Sequence, residues 1–195
     1  MTSSRNKPGV STVRLDDGAV LDAARACVLD VGVRRTTLAD VARRAGVSRM
    51  SLYRRWSGID ELVGDVLTRE LHTLTGDALD GDRAALVARV VEVCEALRRH
   101  GLVRKIVDVD PELLLPYVLR RRGRSTEAIV DRLTVAILAA QAGGTVRQGD
   151  AGLLARFVLL TAQSYVLSAG AVAADAPAAG LPGELATLLD GYLRP

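Results

Sequence analysis

Residues 36–56 read TTLADVARRAGVSRMSLYRRW, and the rest of the chain is best read outward from them. Thr37 stands as an N-cap with Asp40 three residues on. Leu38, Val41, Ala42 and Ala45 follow at i, i+3, i+4 and i+7, which predicts a short helix with one apolar face. Gly46 and Val47 make a turn, Ser48 caps a second helix, and Leu52 and Trp56, four apart, face inward. Two helices joined by a short turn containing glycine form a helix-turn-helix unit. Small residues fall where that geometry needs them: Ala42 at the helix crossing, Gly46 for a left-handed backbone, Val47 in the angle between the helices. Arg49, Met50, Ser51, Tyr53, Arg54 and Arg55 are left outside, where a packed core cannot use them and the major groove of DNA can.

Upstream, Asp16 and Asp17 open a helix whose apolar positions Val20, Ala24, Cys27, Val28 and Val31 recur at helical spacing. Gly32 and Val33 are expected to stop it, as a left-handed C-terminal residue with an apolar contact behind it. Residues 1–14, MTSSRNKPGVSTVR, have no apolar periodicity and read as a disordered basic arm. Downstream, Ser57 with Asp60 is expected to cap a helix running to about Thr75. Leu86, Val90, Val93, Cys94 and Leu97 mark another, closed by His100-Gly101. Asp110-Pro111 starts the next, which Pro116 should kink or divide. Ser125 to Gly143 and Asp150 to about Ala171 read as long helices separated by GGTVRQG. Leu181 to Leu193 reads as a short last one after DAPAAG. No run of alternating strand residues and no internal repeat occurs. The expected class is all-α, an N-terminal three-helix domain with the helix-turn-helix followed by a C-terminal helical bundle.

Charge separates the two parts. Residues 1–56 carry eleven Lys/Arg against five Asp/Glu, a net of +6, and residues 57–195 carry fifteen against eighteen, a net of −3. Almost every cation is arginine, with only Lys7 and Lys105 as lysine, but a compositional bias would act on the whole chain and does not explain the asymmetry. A basic end beside a mildly acidic remainder is the footprint of a nucleic-acid-binding module. With 195 residues, 49% of them hydrophobic, the chain can bury one sizeable core or two modest ones. Cys27 and Cys94 sit on apolar stripes and read as core residues in a reducing compartment, which with the lack of an apolar N-terminal stretch suggests the cytoplasm. Phe157 to Ala174 runs eighteen residues without a charge, the length of a membrane span. Thr161, Gln163, Ser164 and Ser168 within it and Arg156 before it favour a helix buried on all sides instead.

The longer segment TTLADVARRAGVSRMSLYRRWSGIDELV, taken with Gly32, resembles the DNA-binding domain of the tetracycline-repressor (TetR) family over about residues 16–66. A threonine-started helix, an AGVS turn, a Leu-Tyr pair, an aromatic and a Glu-Leu at the start of the fourth helix occur in the family's order. The resemblance implies an arm at 1–14, a DNA-binding domain at 15–58 and a ligand-binding and dimerisation domain at 59–195. It implies that Thr37, Tyr53 and Arg55 meet the phosphate backbone and that Arg49, Met50 and Ser51 meet base edges, with Ser48 and Arg54 completing the DNA-binding set. Arg55 stands where the family often has histidine, Met50 where it often has glycine, and Ile59 where it usually has lysine. Arg5, Lys7 and Arg14 of the arm are candidates to replace that last phosphate anchor. GGTVRQGDAGLLARF is similar to the family's turn before its penultimate long helix. The implied protein is a homodimeric regulator of a roughly palindromic operator on double-stranded DNA, with a small-molecule effector, no cofactor and no membrane.

The remaining constellations are weaker. No nucleophile–base pair or metal-ligand spacing emerges, and His72 and His100 read as surface or helix-end residues. Glu92 and Glu95 read as solvated, and Arg120-Arg121-Arg122-Gly123-Arg124 as a helix end rather than a second nucleic-acid patch. Phe157, Thr161 and Tyr165 share a face and, with Tyr117, could line a ligand pocket; ordinary core packing is the competing reading. The adjoining face, Leu160, Ser164, Leu167 and Ala171, suits a partner subunit. Three functions stay open: a ligand-responsive dimeric repressor, a constitutive DNA-binding protein without effector, and a helical enzyme or interaction protein.

Overall fold

The computed structural model describes residues 16–76, 79, 81–114, 124–172 and 180–195, leaving aside the side chains of residues 114, 124 and 125. The basic arm, Pro116, Tyr117, the arginine run from Arg120 to Gly123 and most of the loop 175–180 lie outside the described residues. Among those described, all regular structure is helical: α1 Asp17–Val31, α2 Leu38–Ala45, α3 Arg49–Arg55, α4 Ile59–Thr75, α5 Arg83–Arg99, α6 Gly101–Val109, a 3-10 turn Pro111–Leu114, α7 Arg124–Ala142, α8 Ala151–Val172 and α9 Leu181–Leu193.

Two apolar cores organise these helices. The first gathers Val20, Ala24, Val41, Leu52, Trp56, Leu62 and, from α6, Leu102 and Ile106. The second is built by α5, α7, α8 and α9 around residues such as Leu86, Ile137, Leu154 and Leu189. α4 joins them: its first half supplies Leu62, Val63 and Val66 to the first core, and its second half borders the second. Trp56, 1% exposed, closes α3, and its ring N–H donates to the Asp65 carboxylate at 2.8 Å, so the end of α3 is fixed on the side of α4.

Several local expectations are corrected. Gly32 ends α1 with φ 84° and ψ 168°, a positive φ but an extended ψ, so the chain leaves straight rather than curling into a left-handed cap. A Cβ at Gly32 would stand 3.0 Å from Asp110 Oδ2, so glycine also lets that carboxylate approach. Asp110, 2% exposed, accepts the Val33 N–H at 2.8 Å and clasps the α1–α2 turn, while Pro111 after it opens the 3-10 turn Pro111–Leu114. Ser57 does not cap α4. The N-cap is Gly58, and Glu61 reaches back to accept both the N–H and the hydroxyl of Ser57 at 2.7 Å. Residues 101–109, left without an element by the sequence, are helix α6, because His100 ends α5 and begins α6 at one residue. Finally, α8 is not buried on all sides: Leu153 and Leu160 are 63% and 60% exposed, and Phe157, Ser164 and Ala171 also face outward. Val31 at the end of α1 is exposed as well.

Candidate nucleic-acid interface

The reading head is assembled by short-range bonds. Thr37 accepts the Asp40 N–H on its hydroxyl at 3.2 Å, while the Asp40 carboxylate accepts the Thr37 hydroxyl at 2.6 Å and the Thr37 N–H at 3.2 Å. These bonds from Thr37, with the Arg43 guanidinium nearby, hold the Asp40 carboxyl below the ordinary carboxylate range. A carboxylate whose folded value is depressed gives its support above the unfolded value and loses it only as pH falls through the folded one, so this cap persists throughout neutral pH. Gly46 lies at φ 68° and ψ 25°, the left-handed conformation the turn demands, and the Val47 N–H donates to the Ala42 carbonyl at 3.0 Å. Ser48 caps α3 by accepting the Ser51 N–H at 3.1 Å, and the two serine hydroxyls share a bond of 2.8 Å.

Leu52 and Trp56 anchor the back of α3, and its front is open. Met50 is 76% and Tyr53 55% exposed, far above what a core would leave. Arg49, Arg54 and Arg55 are exposed too. Arg55 Nε lies 3.4 Å from Asp17 Oδ2 and its guanidinium 4.9 Å from the centre of the Trp56 ring. Arg43 and Arg44, on α2, are paired with Asp40 and Asp30. Arg49 and Arg54 have no ionic or hydrogen-bonded partner among the described residues, so their donors are open to an anionic ligand. The exposed residue Thr37 marks the start of α2, where unpaired N–H groups and the positive helix end suit a phosphate. Ile59, where a lysine anchor was missed, packs against the first core.

A cationic, one-sided helix held by its back on a three-helix core defines a helix-turn-helix DNA-binding protein. Comparison with known proteins agrees. Residues 20–66 match the profile of bacterial regulatory proteins of the tetR family. The HTH-type transcriptional regulator Mb2274c of Mycobacterium bovis is 41% identical over 187 residues, covering 94% of this chain and 98% of its own. Among solved structures, the repressor QsdR of Rhodococcus erythropolis shares the fold with a TM-score of 0.65 at 17% identity, covering 92% of this chain and 96% of its own. FadR of Bacillus subtilis, solved in complex with stearoyl-CoA, does so with a TM-score of 0.61 at 12% identity, covering 92% and 100%. The chain belongs to the tetR family and is a DNA-binding transcriptional regulator.

In the second core Phe157, Thr161 and Tyr165, expected from the sequence as possible pocket residues, lie apart from the apolar cavity. That cavity, of about 240 Å³, opens between α4, α5, α7 and α8. Its walls are apolar, with Val90, Val93, Leu133, Val158 and Val166 prominent, and its polar groups include Glu70, Arg89, Arg132 and Gln163. Thr161 and Tyr165 border a separate shallow groove beside α9, with Leu160, Ser164 and Leu188. Their hydroxyls are already engaged: Thr161 donates to the Phe157 carbonyl at 3.0 Å, and Tyr165 to Glu95 at 2.7 Å. Phe157 stacks on Tyr192 with ring centres 4.5 Å apart. Of the four residues expected at a partner face, Leu160, Ser164 and Ala171 are exposed, while Leu167 lines the cavity.

Glu95 is not simply solvated. Burial pushes its carboxyl up, but hydrogen bonds from Tyr165 and Arg98 outweigh this and hold it below the ordinary range. Cys94, on the cavity wall, has its thiol pushed up to about 12, by burial first and the Glu95 charge second, so it stays protonated at neutral pH. Among the described residues no cluster of His, Cys, Asp and Glu could hold a metal. Neither Arg89 nor Arg132 stood out in the sequence. Each is one cation among many there, and only the meeting of α5, α7 and the end of α4 distinguishes them.

Proposed function

We propose that the protein is a cytoplasmic, homodimeric repressor that leaves a roughly palindromic operator when a small, mostly apolar ligand enters the cavity beside α4. The course of α4 carries this reading. Its start packs in the core of the reading head through Leu62, Val63 and Val66, and Leu67, Leu71 and Thr75 further along border the cavity. At about 1.5 Å per residue, a ligand that moves the far end of this rigid helix moves the reading head with it. Only a ligand that binds the DNA-incompetent arrangement more tightly can release operator, since equal affinity shifts nothing. The stearoyl-CoA complex of FadR, whose ligand carries a long apolar acyl chain, supports a ligand with an apolar part for this fold. Dimerisation is supported by the uncovered apolar face of α8 and α9, where Leu153, Phe157, Leu160 and Leu188 lie exposed together.

The test is a thermal-shift screen of apolar small molecules on the full chain, followed by mobility shifts on duplexes it selects. Stabilising molecules should release the selected DNA. Stabilisers that all leave DNA affinity unchanged would instead favour a constitutive DNA-binding protein without effector.

A further inference from the structure

Two of the cavity's charged side chains, Arg132 and Arg89, meet at the end of α4. Arg132, from α7, donates Nη1 to Thr75 Oγ1 at 3.1 Å and Nη2 to the carbonyls of Thr75, at 3.3 Å, and Gly76. Arg89, from α5, donates Nη2 to the carbonyls of Leu74 at 3.3 Å and Thr75 at 3.2 Å, and Nη1 to the Glu92 carboxylate at 2.7 Å. Two permanently charged side chains on the cavity wall are thus held by the last carbonyls of α4. Arg132 Nε is buried without any partner, and no carboxylate pairs with Arg132 among the described residues. A carbonyl is the weaker acceptor: bonds between a guanidinium and a carboxylate are roughly twice as strong as neutral ones, and the planar fork fits a carboxylate at two points.

We propose that the ligand is a small amphipathic carboxylate, with its chain among Val90, Val93, Leu133, Val158 and Val166 and its head on Arg132 and Arg89. This rests on the sensor reading above and names its ligand class. Glu70 also borders the cavity, but it lies about 7.5 Å back along α4. There its charge is met by Arg25 at 3.4 Å and Arg69 at 3.4 Å, and His100 Nε2 lies 3.0 Å from it. The head group acts on α4 in two ways. It competes for the guanidiniums that hold the helix end, and its charge repels the negative end of the α4 dipole. Both move the far end of the lever that carries the reading head.

The experiment titrates octanoate, 1-octanol and octylamine into the full-length protein by calorimetry at neutral pH, and into its complex with selected DNA. Octanoate should bind at least about tenfold more tightly than 1-octanol, octylamine should not bind, and octanoate should release DNA at a correspondingly lower concentration than 1-octanol. Arg132→Met should lose that tenfold preference and keep 1-octanol binding. Equal binding of octanoate and 1-octanol by the unaltered protein, which needs no variant to fold, would overturn the carboxylate and leave an apolar sensor standing. Binding of octanoate undiminished in a folded Arg132→Met would also overturn it. If octanoate does not bind, the carboxylate falls, and the sensor reading is decided separately by the apolar screen above.

Discussion

Arg49 and Arg55 lie on the same short helix, and we propose a different DNA contact for each. Arg55, near the end of α3, is tethered by Asp17 and the Trp56 ring, which aims a single charge where a register-setting phosphate would lie. Arg49, at the first position of α3, has no partner among the described residues and is proposed to meet a base edge. Arg55→Ala should therefore weaken all DNA sequences alike and make the salt dependence shallower by about 1 in slope per subunit, since one fewer counterion is released. Its half-exposed pair with Asp17 should matter little to stability. Arg49→Ala should cost roughly 1 to 3 kcal/mol at one position of each half-site and relax the preference there. Binding isotherms on matched and scrambled duplexes over a salt series separate the two. Equal losses on both duplexes for Arg49→Ala would remove it from the base readers. The exposure of these two side chains was legible in the sequence because everything that places them, from the Thr37–Asp40 box to Leu52, lies within a few turns of chain.

At the level of elements, the Asp110 clasp decides how firmly the reading head sits. Its carboxylate reaches from the end of α6 to the Val33 N–H, across a separation of 77 residues in the chain. Asp110→Ala leaves that buried N–H without its acceptor and should cost about 1 to 3 kcal/mol, read as a lower urea midpoint with unchanged slope. An unchanged midpoint would mean that the turn holds without it. The sequence could not announce this clasp. Asp110-Pro111 carries the same signature as an ordinary helix start, and His100-Gly101 that of a helix stop, so α6 fell between two punctuation marks that belong to its neighbours. Likewise, Ser57 and Asp60 satisfy the spacing of a cap, but Glu61 made the bond, because one residue of shift in a helix start leaves composition unchanged. The α5, α8 and α9 spans, governed by long apolar periodicity, were read within a few residues.

At the scale of the molecule, two cores share one lever, and an apolar face is left open on α8 and α9. The cavity was out of reach of sequence reasoning because α4, α5, α7 and α8 build its wall jointly, and periodicity tells that Val93 or Val158 faces inward but not that a void lies there. The exposed face was half legible: Leu160 and Ser164 were placed on it, while the full burial expected of the same helix was not found. The central claim is that this chain reads DNA as a symmetric pair. Selection of bound duplexes from a random library by the full-length protein tests it most directly, with Leu160→Glu run alongside, since Leu160 is 60% exposed and its change spares the core. The enriched sequences should contain two inverted half-sites with centres about 34 to 36 Å apart or a multiple of that, and the variant should enrich weakly and for a single half-site. A library that stays random after repeated rounds, or one that converges on an unpaired site for the unaltered protein, would contradict the account.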